Sequence, residues 1–136
     1  MTRLQLRIYT NPGEAQIFAN LPRKDGNQET LTASIDTGAA ISLFPIELLD
    51  LINYRPSINP RIVIDQAGIA NQTFEAIEVF ITISLEDAAG NLTQAFEIPA
   101  WFAASTTPLL GFAGVLDRAV LHIDMQQQIG WLEIDT

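Results

Sequence analysis

Residues 74–85 read FEAIEVFITISL, and aliphatic side chains recur at every second position through most of this stretch. One face of a strand here would carry only apolar residues: Ile77, Val79, Ile81, Ile83 and Leu85. The opposite face would carry the polar residues Glu78, Thr82 and Ser84. A period of two is typical of a β-strand that is buried on one side. Residues 74–85 therefore predict a β-strand.

The same alternation of apolar and polar residues recurs on both sides of this stretch. We predict further strands at residues 4–8, 14–21, 29–35, 92–98, 120–124 and 129–134. The sequence RKDGN at residues 23–27 favours a hairpin turn, because Asp-Gly readily adopts positive φ angles. Helical patterns are limited to residues 46–52, which follow Pro45, and residues 113–118. The sequence thus predicts an all-β protein, a small, partly closed β-barrel with one or two short helices.

The composition fits a single domain over residues 1–136, since 48% of the residues are hydrophobic and can fill a core. Absence of cysteine excludes disulfides, thiolate catalysis and cysteine-ligated metal sites. Sixteen acidic residues against seven basic ones give a net charge of −9, which argues against nucleic acid as a partner. The one histidine, His122, has no accompanying GxSxG sequence to suggest Ser-His-Asp catalysis. If the chain is an enzyme, carboxylate chemistry remains.

The sequence also bears on the compartment. No apolar run approaches the ~18 residues that a membrane-spanning helix needs, so no membrane partner is expected. Residues 1–14, MTRLQLRIYTNPGE, lack the apolar stretch of a secretory signal peptide. We therefore expect a cytoplasmic protein.

Residues 31–42, LTASIDTGAAIS, carry the clearest candidate chemistry. A strand that runs directly into Asp36 would let the following turn project its carboxylate out of the sheet. Gly38 allows the backbone to approach that carboxylate and offer its N–H as a donor. Thr37 supplies a short hydroxyl, and Ala39 adds no bulk where a substrate or a second chain must approach. Asp-Thr-Gly is also an ordinary turn sequence, which leaves a purely structural role for Asp36 open.

The segment DTGA at residues 36–39 resembles the active-site loop of retroviral-type aspartic proteases, the retropepsins. The sequence LLG at residues 109–111, preceded by TTP, is similar to the apolar-apolar-Gly segment that closes the retropepsin core. Residues 62–85 resemble a flap hairpin. Residues 110–118 resemble bacterial single-domain members more than viral ones. Together these features cover residues 15–134.

One departure from the viral pattern follows the LLG segment. Viral members usually carry an arginine and then Asp or Asn there, and the arginine braces the dimer. This chain has Phe112-Ala113 instead, and Arg118 is a candidate for a substitute brace.

The resemblance implies an aspartic endopeptidase that hydrolyses polypeptides. Asp36 would be catalytic, with Thr37 and Gly38 orienting it, and Ala39 would contact the substrate. The flap would cover the substrate with four residues: Gln66, Ala67, Gly68 and Ile69. No metal or organic cofactor is implied, because the nucleophile is a water molecule activated by carboxylates.

Such hydrolysis needs one carboxylate to activate water and one carboxylic acid to polarise or protonate the carbonyl. The chain contains one Asp-Thr-Gly and no Asp-Ser-Gly, so the second carboxyl would come from another copy in a homodimer. In the resembled family the chain termini build the interface, which makes residues 4–9 and 129–134 the candidate interface strands. Two alternatives stay open: a retropepsin-fold binding or dimerisation module with little or no proteolytic activity, and an unrelated small β-barrel.

Overall fold

The computed structural model describes residues 1–65 and 73–136, with side-chain positions for residues 1–58 and 75–136. Within these residues the chain forms eleven β-strands and two 3₁₀ helices. The strands are β1 (Thr2–Gln5), β2 (Arg7–Thr10), β3 (Gly13–Pro22), β4 (Gln28–Ile35), β5 (Ser42–Pro45), β6 (Tyr54–Asp65), β7 (Thr73–Glu86), β8 (Phe96–Ala103), β9 (Leu109–Leu110), β10 (Ala119–Asp124) and β11 (Ile129–Ile134). The 3₁₀ helices are Ile46–Asp50 and Leu116–Arg118. The predicted all-β class is confirmed.

The larger sheet closes on itself. Its strand order is β2-β3-β4-β9-β5-β8-β7-β6, and β3 pairs with β7 as well. Strands β3, β4, β9, β5, β8 and β7 therefore form a ring, as the predicted partly closed barrel requires. One edge of β3 is divided between two neighbours, since Gly13–Gln16 pairs with β2 while Phe18–Asn20 pairs with β7.

Alternating side chains of the ring fill the interior. On β7 the predicted apolar face is buried, with Ile81, Ile83 and Leu85 at most 1% exposed. Phe44 on β5 and Phe102 on β8 are fully buried and stack with ring centroids 5.5 Å apart. Buried aromatic pairs of this kind add stability beyond the area that they bury.

The chain termini form a second, three-stranded sheet of order β1-β11-β10. Leu4, Leu132 and Ile134 are 0% exposed and belong to the same core cluster as the barrel residues. Because β11 pairs with β1 on one side and β10 on the other, neither of its edges is available to extend a sheet into a second chain. Of the two predicted interface segments, residues 129–134 could therefore meet a partner only through side chains.

The sequence-based boundaries of several elements are wrong. Residues 46–52 form a five-residue 3₁₀ helix, Ile46–Asp50, and Pro45 precedes it in an extended conformation. The second helix is shorter than residues 113–118, covering Leu116–Arg118. In the described part of the chain, no helix combines the length and apolar character needed to cross a membrane.

The strand predicted at residues 92–98 is displaced, because β8 covers Phe96–Ala103. Thr93 accounts for the late start. Its backbone N–H donates to Leu85 O, and its hydroxyl accepts from Leu85 N, at 2.9 Å each. This local pairing with the end of β7 occupies the residues before β8.

A buried carboxylate fastens β1 to the turn after β7. Asp87 is 3% exposed and accepts hydrogen bonds from the backbone N–H groups of Gln5, Ala89 and Asn91 and from the Asn91 side chain, at 2.9–3.0 Å. Burial raises the pKa of Asp87, but the hydrogen bonds from Asn91, Gln5 and Ala89 outweigh it and hold the pKa below its ordinary value. The charged form of Asp87 is therefore the form that stabilises the fold.

We predict that Asp87→Asn lowers the free energy of unfolding at pH 7 by about 1–3 kcal/mol, because the amide loses charge-assisted acceptor sites. A group with a lowered folded-state pKa contributes stability above its unfolded pKa and loses it as the pH falls through the folded value. The difference between the variant and the parent should thus shrink below a pH of about 4. Denaturant unfolding at pH 7 and at a pH below about 4 measures this difference in the free energy of unfolding. Asp50→Asn, on the exposed face of the first 3₁₀ helix, is the control. A pH-independent difference would contradict this role.

Candidate active site

Asp36 directly follows β4 and is half-buried. Its N–H donates to Leu110 O at 3.0 Å, so its backbone continues the strand ladder. Gly38 N–H donates to Asp36 Oδ1 at 2.8 Å, and Ala39 N–H donates to Asp36 O at 3.2 Å. A tight turn therefore orients one carboxylate oxygen, as expected from the glycine at position 38.

Gly38 lies close to the Asp36 carboxylate. A Cβ atom at Gly38 would lie 3.3 Å from Asp36 Oδ1, which is closer than most side-chain contacts. Thr37 is exposed, and Ala39 is half-buried. We call residues 36–41 the Asp36 loop.

The LLG segment lies beside the Asp36 loop, although the two are far apart in sequence. Strand β9 pairs in parallel with β4, with Ser34 opposite Leu109 and Ile35 opposite Leu110. It also pairs antiparallel with β5 through Leu43. The two segments that resemble retropepsin sequences are thus neighbours in space.

Gly111 makes the closest backbone approach in this region. A Cβ atom there would lie 2.7 Å from Ala39 O and 2.9 Å from the backbone of Ile41, so no other residue fits without backbone movement. Gly111 N–H donates to Ser42 Oγ at 3.1 Å, and Ser42 is 0% exposed. The glycine is required by packing against the Asp36 loop.

The departure after Gly111 leaves an aromatic side chain on the surface. Phe112 is 44% exposed, and its N–H donates to Ala39 O at 3.0 Å. The next residue continues the contact, with Ala113 N–H donating to Ala40 O at 2.9 Å. The Arg118 guanidinium stacks over Phe96, 5.4 Å from the ring centroid.

The predicted flap is described in part. Its arms, β6 and β7, pair antiparallel up to Asp65 opposite Thr73. The predicted substrate-covering residues Gln66, Ala67, Gly68 and Ile69 lie outside the described residues.

A polar network joins β6, β7 and β8. Trp101 Nε1 donates to Glu78 Oε1 at 2.9 Å, and Ser57 Oγ donates to Glu78 Oε2 at 2.6 Å. Trp101 is half-buried in this network, whereas Phe102 belongs to the core.

Sequence reasoning missed one polar pair next to Asp36. Ser34 Oγ donates to Glu14 Oε1, which joins β4 to β3 two residues before Asp36. Hydrogen bonds from Ser34 and then Gln16 lower the pKa of Glu14, against the smaller effect of burial. Gln16 lies opposite Ser34, and Glu14 is two residues from Gln16 on the same face of β3. A prediction of the β3–β4 register would therefore have revealed this pair.

A second surface feature lies on the terminal sheet. His122 is exposed and stacks on Trp131, with ring centroids 3.9 Å apart. A groove of about 380 Å³ is lined by the same tryptophan and by residues that include Arg3 and Gln128. The residues that line this groove do not include those of the Asp36 loop.

No family model matches the chain, and no curated protein matches it either.

We predict that Gly111→Ala lowers the free energy of unfolding by about 1–3 kcal/mol, because the new methyl group must displace the backbone of the Asp36 loop. Gly13→Ala is the matched control, since its new Cβ would meet only the flexible end of Met125, at 3.2 Å. Denaturant unfolding of both variants measures the difference. Equal losses in the two variants would mean that the close approach at Gly111 is not a constraint on stability.

Proposed function

We propose that this chain is an aspartic endopeptidase that acts as a homodimer, with Asp36 of each copy forming the catalytic pair. The observation that carries the proposal is the packing of the LLG segment against the Asp36 loop. Gly111 leaves no room for a side chain next to Ala39 and Ile41, and Gly38 N–H orients Asp36 Oδ1. These contacts support a carboxylate that is held in one orientation at the surface.

Two such carboxyl groups about 3 Å apart cannot both be ionised, so the pair shares a proton. The ionised carboxylate takes a proton from water, and the water oxygen attacks the carbonyl carbon of the substrate. The protonated carboxyl donates its proton to the carbonyl oxygen. When the tetrahedral intermediate collapses, the C–N bond breaks and the departing amine takes the proton that the first carboxylate received from water. The other carboxylate takes back the proton from the former carbonyl oxygen, which restores the carbonyl group and the singly protonated pair.

A second copy must approach the Asp36 loop for this pair to form. Thr37, Gly38 and Ala40 are exposed there, and Phe112 places an exposed ring next to them. Aromatic side chains are enriched at the centres of protein interfaces. In the proposed dimer, Phe112 provides the apolar contact beside the loop, where viral family members use an arginine brace.

The remaining expectations complete the proposal. The flap residues Gln66, Ala67, Gly68 and Ile69 would cover the bound polypeptide, and Ala39 would contact it. The cytoplasmic location stays a prediction. A binding or dimerisation module with the same fold and little or no proteolytic activity is the alternative, which the altered segment at Phe112-Ala113 favours.

We predict that Asp36→Asn abolishes cleavage of an unstructured protein while the fold and the dimer persist. The side chains are nearly isosteric, but the amide can neither accept the proton of water nor share one with its partner. Loss of a general acid–base role reduces rates by about 10²- to 10⁴-fold, and this variant loses both roles. Mass spectrometry of the digest, circular dichroism and sedimentation measure the three properties.

Asp50→Asn is the matched control, because Asp50 is an exposed carboxylate outside the loop. Cleavage that survives in Asp36→Asn at the parental rate would refute the protease proposal. A dimeric parent without any activity that depends on Asp36 would favour the binding module. Loss of the fold in Asp36→Asn would mark Asp36 as a structural turn residue.

We predict that Phe112→Ser raises the dimer dissociation constant by roughly tenfold or more, since truncation of a central aromatic contact commonly costs over 1 kcal/mol. The monomer fold should persist because Phe112 is exposed. Leu92→Ser is the control, as an exposed apolar residue in the segment between β7 and β8. Sedimentation at several concentrations measures both variants, and an unchanged dissociation constant in Phe112→Ser would exclude this surface from the interface.

A further inference from the structure

The sheet face beside Asp36 carries an acidic side chain. Successive side chains of a strand point to opposite faces, so residues two apart share a face. Ser34 and Asp36 are two apart, and the backbone at both positions is in the ladder, since their N–H groups donate to Pro108 O and Leu110 O. The hydroxyl of Ser34 and the carboxylate of Asp36 therefore project from the same face.

Glu14 reaches this face from the neighbouring strand. Gln16 lies opposite Ser34, and the same register continued by two residues would set Glu14 opposite Asp36. The β3–β4 ladder ends before that point, and the Glu14 carboxylate accepts the hydrogen bond of Ser34 Oγ. Adjacent strands lie about 4.8 Å apart. A substrate side chain next to the reacting carbonyl could span this separation to Glu14.

The carboxylate of Glu14 is ionised at neutral pH, because hydrogen bonds from Ser34 and Gln16 lower its pKa. In the described part of the chain, the arginine ion pairs involve Glu133, Asp25, Glu29 and Glu97 and leave Glu14 out. The nearest basic residue on β2, Arg7, lies opposite Gln16. Its guanidinium rests 5.8 Å from the ring centroid of Tyr9 and 5.9 Å from that of Phe18.

We propose that Glu14, held by Ser34, is a specificity-determining residue that selects polypeptides with a lysine or arginine next to the scissile bond. This inference rests on the proposed function, because the subsite has a meaning only beside a catalytic Asp36. A basic side chain would form a charge-assisted hydrogen bond with the Glu14 carboxylate and bury its aliphatic stem against the sheet. Two-fold symmetry would repeat Glu14 on the other side of the catalytic pair.

The net charge of −9 also favours basic substrates, but over a longer range than Glu14, because it attracts basic polypeptides and repels acidic ones. Long-range attraction raises the association rate of every basic peptide, irrespective of where its charge lies. Glu14 instead distinguishes peptides by the position of the basic residue. This difference separates the local effect from the general one in an experiment.

The test first locates cleavage sites in an unstructured protein by mass spectrometry. It then uses four matched peptides that carry Lys, Arg, Gln or Leu before the scissile bond. The Gln and Leu peptides carry one additional lysine far from that bond, so that all four peptides have the same net charge. The parent should cleave the Lys and Arg peptides with a kcat/KM about ten- to hundredfold above that of the Gln peptide, as a hydrogen bond to a charged group allows. Glu14→Gln should remove this preference and leave kcat/KM for the Gln and Leu peptides unchanged.

Glu47→Gln, which removes an exposed carboxylate on the first 3₁₀ helix, should keep the parental preference. Added salt should reduce the Lys-to-Gln ratio of the parent and leave that of Glu14→Gln constant. Should Glu14→Gln fold poorly, Ser34→Ala, which removes the hydroxyl that holds the carboxylate, should lower the ratio in part.

Three results would overturn the inference. Asp36-dependent cleavage without preference for basic residues would refute the subsite and leave the protease proposal standing. An equal loss of kcat/KM for all four peptides in Glu14→Gln would assign Glu14 a structural role. Absence of any Asp36-dependent cleavage would refute the proposed function and the subsite together.

Discussion

The backbone contact between Gly111 and the Asp36 loop is the constraint on which the rest of the structure depends. Strand β9 has two residues, yet it stands between β4 and β5 in the ring and links them. Its position is fixed from both sides, by pairing with β4 and by the hydrogen bond from Gly111 N–H to the buried Ser42 hydroxyl. The contacts that hold β9 in the ring therefore also set the shape of the Asp36 loop.

The sequence predicted β3, β4 and β7 well, because their signal is local. In β7 the alternation of apolar and polar residues persists along most of the strand, and the buried face is the predicted one. The hairpin of β3 and β4 carries its own turn sequence, with Gly26 at φ +89°. Such elements need no knowledge of distant partners to be recognised.

Elements that depend on distant partners were missed or misplaced. Strands β5 and β9 are too short to show a period, and β9 pairs with β4 far away in the sequence. Pro45 predicts a helix over residues 46–52, but the 3₁₀ helix ends at Asp50, and Ile52 forms an isolated bridge with Arg23 instead. The candidate site divides in the same way. The Asp36 loop is a local sequence and was predicted, whereas the contact of Glu14 with Ser34 depends on strand register.

The pairing of β1 with β11 has a consequence for the timing of folding. Thr2 lies opposite Ile134, so β1 pairs with a strand that is more than a hundred residues away in the sequence. Contacts between residues so distant in sequence form slowly, because the entropy of closing a large loop must be overcome first. Leu4 and Leu132 lie opposite each other and are both fully buried, so the burial of Leu4 depends on this long-range pairing. The local hairpin of β3 and β4 can form early, whereas the three-stranded sheet, and the surface that it presents around β1, is completed late in folding.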